Sequence, residues 1–167
     1  VWTIWADPSY STALFTSSKN DDTGEVTRTA DPAALQEVST QITLRLLSGD
    51  GESLDSVDTS SAAYQTQYQA VYDALSKSDS AYQTLATKVN NAIKLSIEQY
   101  VAAYNKAHKK ADADKGIRKG RISVSSTKSF QRDYPYGAFA AAVLGFCDAD
   151  GYGTYGLEKS YESTLAG

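Results

Sequence analysis

The stretch 132–167, RDYPYGAFAAAVLGFCDADGYGTYGLEKSYESTLAG, constrains this chain more than any other. It holds one proline, six glycines and five tyrosines around a short Ala-rich apolar run. Glycine reaches backbone conformations closed to other residues, and proline fixes its own φ and removes a donor. Placed at intervals around one small apolar helix, they specify a backbone path more than a reactive centre. Pro135 holds Tyr134 extended and turns the chain into a helix expected over 136–144. Gly137 allows close packing there, and Gly145 fits the C-terminal cap. Gly156 precedes a second short helix, whose first turn carries Glu158, where a carboxylate complements the helix dipole.

Upstream the chain alternates between capped helices and short strands. Residues 1–6 (VWTIWA) interleave large apolar side chains with Thr3 and stop at Asp7-Pro8, which predicts a strand. Residues 9–30 are rich in Ser, Thr and Asp and read as irregular, with a turn at Gly24 and a short strand near 25–29. Asp31 and Pro32 then open a helix over 32–47: Asp31 N-caps it, and Pro32 occupies the first helical position, where a missing N–H costs nothing. Leu35, Val38, Ile42 and Leu46 fall on one face, and Gly49 and Gly51 end it. A second helix is expected over 61–76 on the spacing of Tyr64, Tyr68, Val71, Tyr72 and Leu75. A third is expected over 80–109, where Tyr82, Leu85, Ala86, Val89, Ile93, Ile97, Tyr100, Val101 and Tyr104 form one stripe ending in His108, Lys109 and Lys110. Residues 112–120 read as a charged connector, and 121–130 as a strand.

Strands near both chain ends and helix between them predict an α+β fold: a small sheet from the terminal strands with an inserted three-helix lobe. At 167 residues the chain is long enough for one cored domain. Within it, 1–30 and 117–167 form a sheet-bearing neck and 31–116 a helical head lobe.

Charge and residue usage exclude several functions. A net charge of −4, from 16 basic and 20 acidic residues, does not suit a nucleic-acid binder. Cys147 is the sole cysteine, so no internal disulfide forms, and its apolar neighbours predict a buried thiol. His108, the sole histidine, reads as a solvated helix-end residue. One Cys and one His without ligand spacing point to no metal, and no cofactor is expected.

Two patterns imitate catalytic or cofactor motifs. Ser125-Ser126-Thr127-Lys128 matches S-x-x-K, but that chemistry needs a helical turn between nucleophile and base, and this segment reads as a strand, with Ser125 and Lys128 on opposite faces. Ser18-Lys19-Asn20 lies in a polar stretch, and no K-[ST]-G occurs. Gly151, Gly153 and Gly156 give G-x-G-x-x-G without room for the βαβ unit that makes it a dinucleotide site. No catalytic residue is therefore assigned. The chain contains no Met and opens on Val1 within an apolar stretch, as expected of a piece of a longer protein. No apolar run is long enough to span a membrane.

The motifs R-x-Y-P-x-G (132–137), A-A-x-x-L-G-F (140–146), G-x-x-G-L-E (153–158) and Y-x-x-x-L-x-G (161–167) together resemble class B penicillin-binding proteins. The likeness is to the end of their non-catalytic N-terminal dimerisation or pedestal domain and covers the last quarter of the chain. Ala142 and Cys147 depart from the family's usual residues, and its R-G-x-x-x-D-R-x-G segment and penicillin-binding motifs in context are absent. The resemblance implies a piece without its transpeptidase domain, tethered by an N-terminal anchor to the outer face of the cell membrane, that positions a peptidoglycan transpeptidase acting in cell-wall synthesis, cell shape or division. Implied partners are that transpeptidase domain, divisome or elongasome membrane proteins meeting the helical lobe, the cell wall, and a second copy in a homodimer. Arg132, Tyr134, Pro135, Gly137, Gly145, Gly156 and Glu158 then form the interdomain motif, with Arg132 a candidate partner for Glu158; the other readings are that Glu158 caps only its own helix with Arg132 solvated, or that either touches the catalytic domain. The alternatives for the whole chain are a stand-alone extracytoplasmic helical interaction domain and a small serine acyl enzyme using Ser125.

Overall fold

The computed structural model describes residues 1–114, 121–129, 141–148 and 152–165. They fall into two compact units, Trp2–Thr127 and a second comprising Val1 with Lys128–Gly167. The fold class is α+β, as the distribution of strands and helices predicted.

In the larger unit, β1 (Trp2–Ala6) is the central strand of a three-stranded sheet in the order β4-β1-β5, where β4 is Gln83–Val89 and β5 is Val124–Lys128. The expected pairing of the two terminal strands is present, and β4 is added on the other side of β1. Seven residues of β4 oppose five of β1: Trp2 pairs with Val89, Ile4 with Ala86, Trp5 with Thr84 and Ala6 with Gln83, with register shifts on either side of Ile4. The extra residues bulge from an edge strand, which discourages further pairing. β4 corrects the expected helix over 80–109. Leu85 and Val89, four residues apart, fit one face of a helix and equally one face of a strand. A true helix, α3 (Asn91–Asp114), begins after Asn90, whose Oδ1 accepts from the Ile93 N–H at 2.9 Å as an N-cap.

The other two helices follow their caps. Asp31 accepts from the N–H groups of Ala33 and Ala34 at the head of α1 (Pro32–Leu47), and Ser61 from that of Tyr64 at the head of α2 (Ala62–Leu75). Their apolar faces share one core with the sheet: Leu35, Val38 and Ile42 of α1, Val71 and Leu75 of α2, Ile93, Ile97 and Val101 of α3, Ile4 and Ala6 of β1, and Leu85 of β4.

Residues 9–30 are more ordered than expected. Two 3-10 turns, Pro8–Tyr10 and Thr12–Leu14, lead into a hairpin of β2 (Phe15–Lys19) and β3 (Val26–Ala30), with Gly24 in its turn. β2 reads FTSSK, too polar to signal a strand. The hairpin is anchored through Arg28, whose Nη1 donates to the carbonyls of Ser9 (2.9 Å) and Ser78 (2.7 Å) while its guanidinium lies 4.7 Å from the Phe15 ring centroid. Ser11 is fully buried and satisfied on both sides, donating to the Asp7 carbonyl (2.7 Å) and accepting from the Ser123 N–H (2.9 Å).

α3 runs past the expected stop and includes 112–114 of the expected connector; 115–120 lie outside the described residues. His108 is therefore not at a helix end. Its ring is half-buried and stacked on Tyr104 with centroids 3.8 Å apart, which corrects its reading as a solvated terminus. No described helix is long and apolar enough to cross a membrane.

Candidate functional site

The smaller unit holds the residues that sequence reasoning singled out. Its described part begins with α4 (Ala141–Leu144), the end of the helix expected over 136–144. Gly145 follows with φ +88°, the left-handed conformation that closes a helix at little cost only for glycine. The chain then doubles back. The Phe146 carbonyl accepts from both the N–H and the hydroxyl of Thr154, each at 2.9 Å; Cys147 and Gly153 form an antiparallel bridge; and the Asp148 N–H donates to the Tyr152 carbonyl at 2.9 Å. The Asp148 carboxylate in turn accepts from the Tyr152 N–H. This return delivers the chain to α5 (Gly156–Ser160) and α6 (Glu162–Leu165).

Glycines sit where backbone meets backbone. A Cβ on Gly145 would fall inside the Tyr155 carbonyl and 2.9 Å from Gly156 Cα; one on Gly156 would lie 2.7 Å from Gly145 Cα. A Cβ on Gly153 would crowd the Glu158 carbonyl and sit 2.7 Å from the Lys159 nitrogen. Such separations admit no side chain, so Gly153 and Gly156 of the G-x-G-x-x-G pattern serve close packing of the return on α5, and Gly151 lies outside the described residues. Glu162 adds a tie by accepting from the Gly153 N–H at 2.5 Å.

With backbone filling the inside, large side chains are turned outward. Phe146 and Tyr155 stack with centroids 5.8 Å apart and are each more than half exposed. Tyr152 and Tyr161 are similarly open, as is Val143 at 62%. Leu144 and Leu157 extend the same apolar character. These open aromatic and aliphatic groups all belong to one short segment of the chain.

Among the expected motif residues, Gly145 and Gly156 are brought together, and Glu158 stands in the first turn of α5 with its carbonyl against Gly153. Arg132, Tyr134, Pro135 and Gly137 lie outside the described residues, and so does any pairing of Arg132 with Glu158. Sequence reasoning missed one partner of Glu158. The Cys147 thiol, half-buried rather than buried, donates to its Oε2 at 3.3 Å. The eleven-residue separation across the return carries no periodic signal.

The S-x-x-K and S-x-N patterns also have positions. Ser125 to Lys128 lies within β5, where residues three apart face opposite ways. Ser18 and Lys19 belong to β2, with Asn20 in the hairpin turn. No group of three or more His, Cys, Asp or Glu residues among the described residues could hold a metal ion. Comparison with known proteins finds no matching family model, curated protein or solved structure.

Proposed function

We propose that this chain is a non-catalytic positioning and interaction domain of a membrane-anchored penicillin-binding transpeptidase, acting on the outer face of the cell membrane in peptidoglycan synthesis. The observation that carries this reading is the Gly145–Gly156 contact: the glycines of two separate motifs in the resemblance meet backbone to backbone, under a cover of exposed aromatic groups. A segment built this way holds a fixed shape and offers apolar area, which is what seating a second domain requires. Arg132 is proposed to lock the segment by pairing with Glu158, since a guanidinium fork can join two backbone segments bidentately. Single and double replacement of Arg132 and Glu158 by Ala tests the pair: non-additive stability losses support it, and simple additivity rules it out.

The decisive test of the whole reading is the coding sequence that follows Gly167. It must supply S-x-x-K, S-x-N and K-[ST]-G in that order. A separately produced domain carrying them should bind this chain, with affinity falling when Phe146 and Tyr155 are replaced by Ser. Absence of the three motifs would leave a stand-alone interaction domain. Covalent labelling of the present chain at Ser125 by a fluorescent penicillin would overturn the reading outright.

A further inference from the structure

We draw no further inference here: the strongest candidate, the hairpin of β2 and β3, which is exposed over most of both strands and pairs with no third strand among the described residues, carries nothing because nothing in the structure shows what covers it.

Discussion

Asn105 and Ile122 exchange two hydrogen bonds: the Asn105 Oδ1 accepts from the Ile122 N–H at 2.8 Å, and its Nδ2 donates to the Ile122 carbonyl at 3.0 Å. A side-chain amide thus completes the backbone of a residue that is 1% exposed, at the point where the chain returns to enter the sheet. Arg121 and Ser123 are tied as well, by the Ala13 and Asp7 N–H groups donating to their carbonyls. The entry to β5 is therefore fixed by specific polar contacts with α3 and with the loop after β1.

Replacing Asn105 by Ala leaves both backbone groups of Ile122 without these partners, which should cost about 2–4 kcal/mol. Urea unfolding should show a lower midpoint at unchanged m-value. Asn105→Asp keeps the acceptor but sets a carboxylate against the Ile122 carbonyl. Its loss of stability should shrink as pH falls and the introduced carboxyl becomes protonated and able to donate. A pH-independent deficit would mean that the donor half of the exchange contributes nothing.

Between α1 and α3, the Arg45 guanidinium lies 4.6 Å from the Tyr100 ring centroid, and Nη1 donates to Gln41 through both its backbone and side-chain oxygens. The Tyr100 hydroxyl is buried with no partner among the described residues. Burial, with a smaller push from the Glu37 charge, raises the Tyr100 phenol above its ordinary range. A group whose folded pKa is raised contributes stability that is fully present below about pH 10 and is lost as pH rises further. Tyr100→Phe removes the orphan hydroxyl, so it should leave stability at neutral pH unchanged or raise it by up to about 1 kcal/mol, and should flatten the alkaline decline. Thermal melts at pH 7 and pH 11 would show both effects; a loss above about 1 kcal/mol at pH 7 would mean that the hydroxyl has a partner after all.

Local signals were legible in the sequence and remote ones were not. Asp31-Pro32 and Ser61 give the starts of α1 and α2 because a cap acts on the next three residues and needs no tertiary partner. β4 was hidden because its identity as a strand comes from β1, far away in the chain, and because Leu85 and Val89, four residues apart, fit a helix face as well as a strand face. The pair Asn90-Asn91 in the middle of the supposed stripe was the available clue, for Asn favours caps over helix interiors. The glycines of the smaller unit announced a specified backbone path. That Gly145 would meet Gly156, and Gly153 the backbone of α5, required the coordinates, because spacing shows which residues are small but not what approaches them.

Asp50, after the end of α1, accepts from the N–H groups of Glu52 and Ser53, each at 2.8 Å, and from the Ser53 hydroxyl. The Ser53 hydroxyl bond, followed by the backbone donors of Ser53 and Glu52, lowers its carboxyl from the ordinary 3.8 to about 2. A depressed pKa contributes stability that is present above the unfolded value and is lost as pH falls through the folded one, so the contribution fades between about pH 4 and pH 2. Ser53→Ala should return the Asp50 carboxyl toward its ordinary range when followed by carboxyl NMR, and Asp50→Asn should flatten the acid limb in that window. An Asp50 titration that ignores Ser53→Ala would assign the shift to another cause.

Lys88 is the only described residue other than glycine with positive φ, at +57°. It lies between the Trp2–Val89 and Ile4–Ala86 pairs, where β4 has one residue more than β1, and it is exposed. The left-handed conformation costs an ordinary L-residue about 1–2 kcal/mol, from which glycine is exempt, although glycine has more chain entropy to lose on folding. Lys88→Gly should therefore raise stability by about 0.5–1 kcal/mol, a gain that neither removing the charge nor shortening the side chain would produce. Lys88→Ala separates these causes, since it removes the ammonium but keeps the Cβ that the conformation disfavours. Chemical denaturation of the three proteins should place the Gly variant above the parent and the Ala variant level with it or below. If the Ala variant gained as much as the Gly variant, the benefit would come from removing the side chain and not from relief at the bulge.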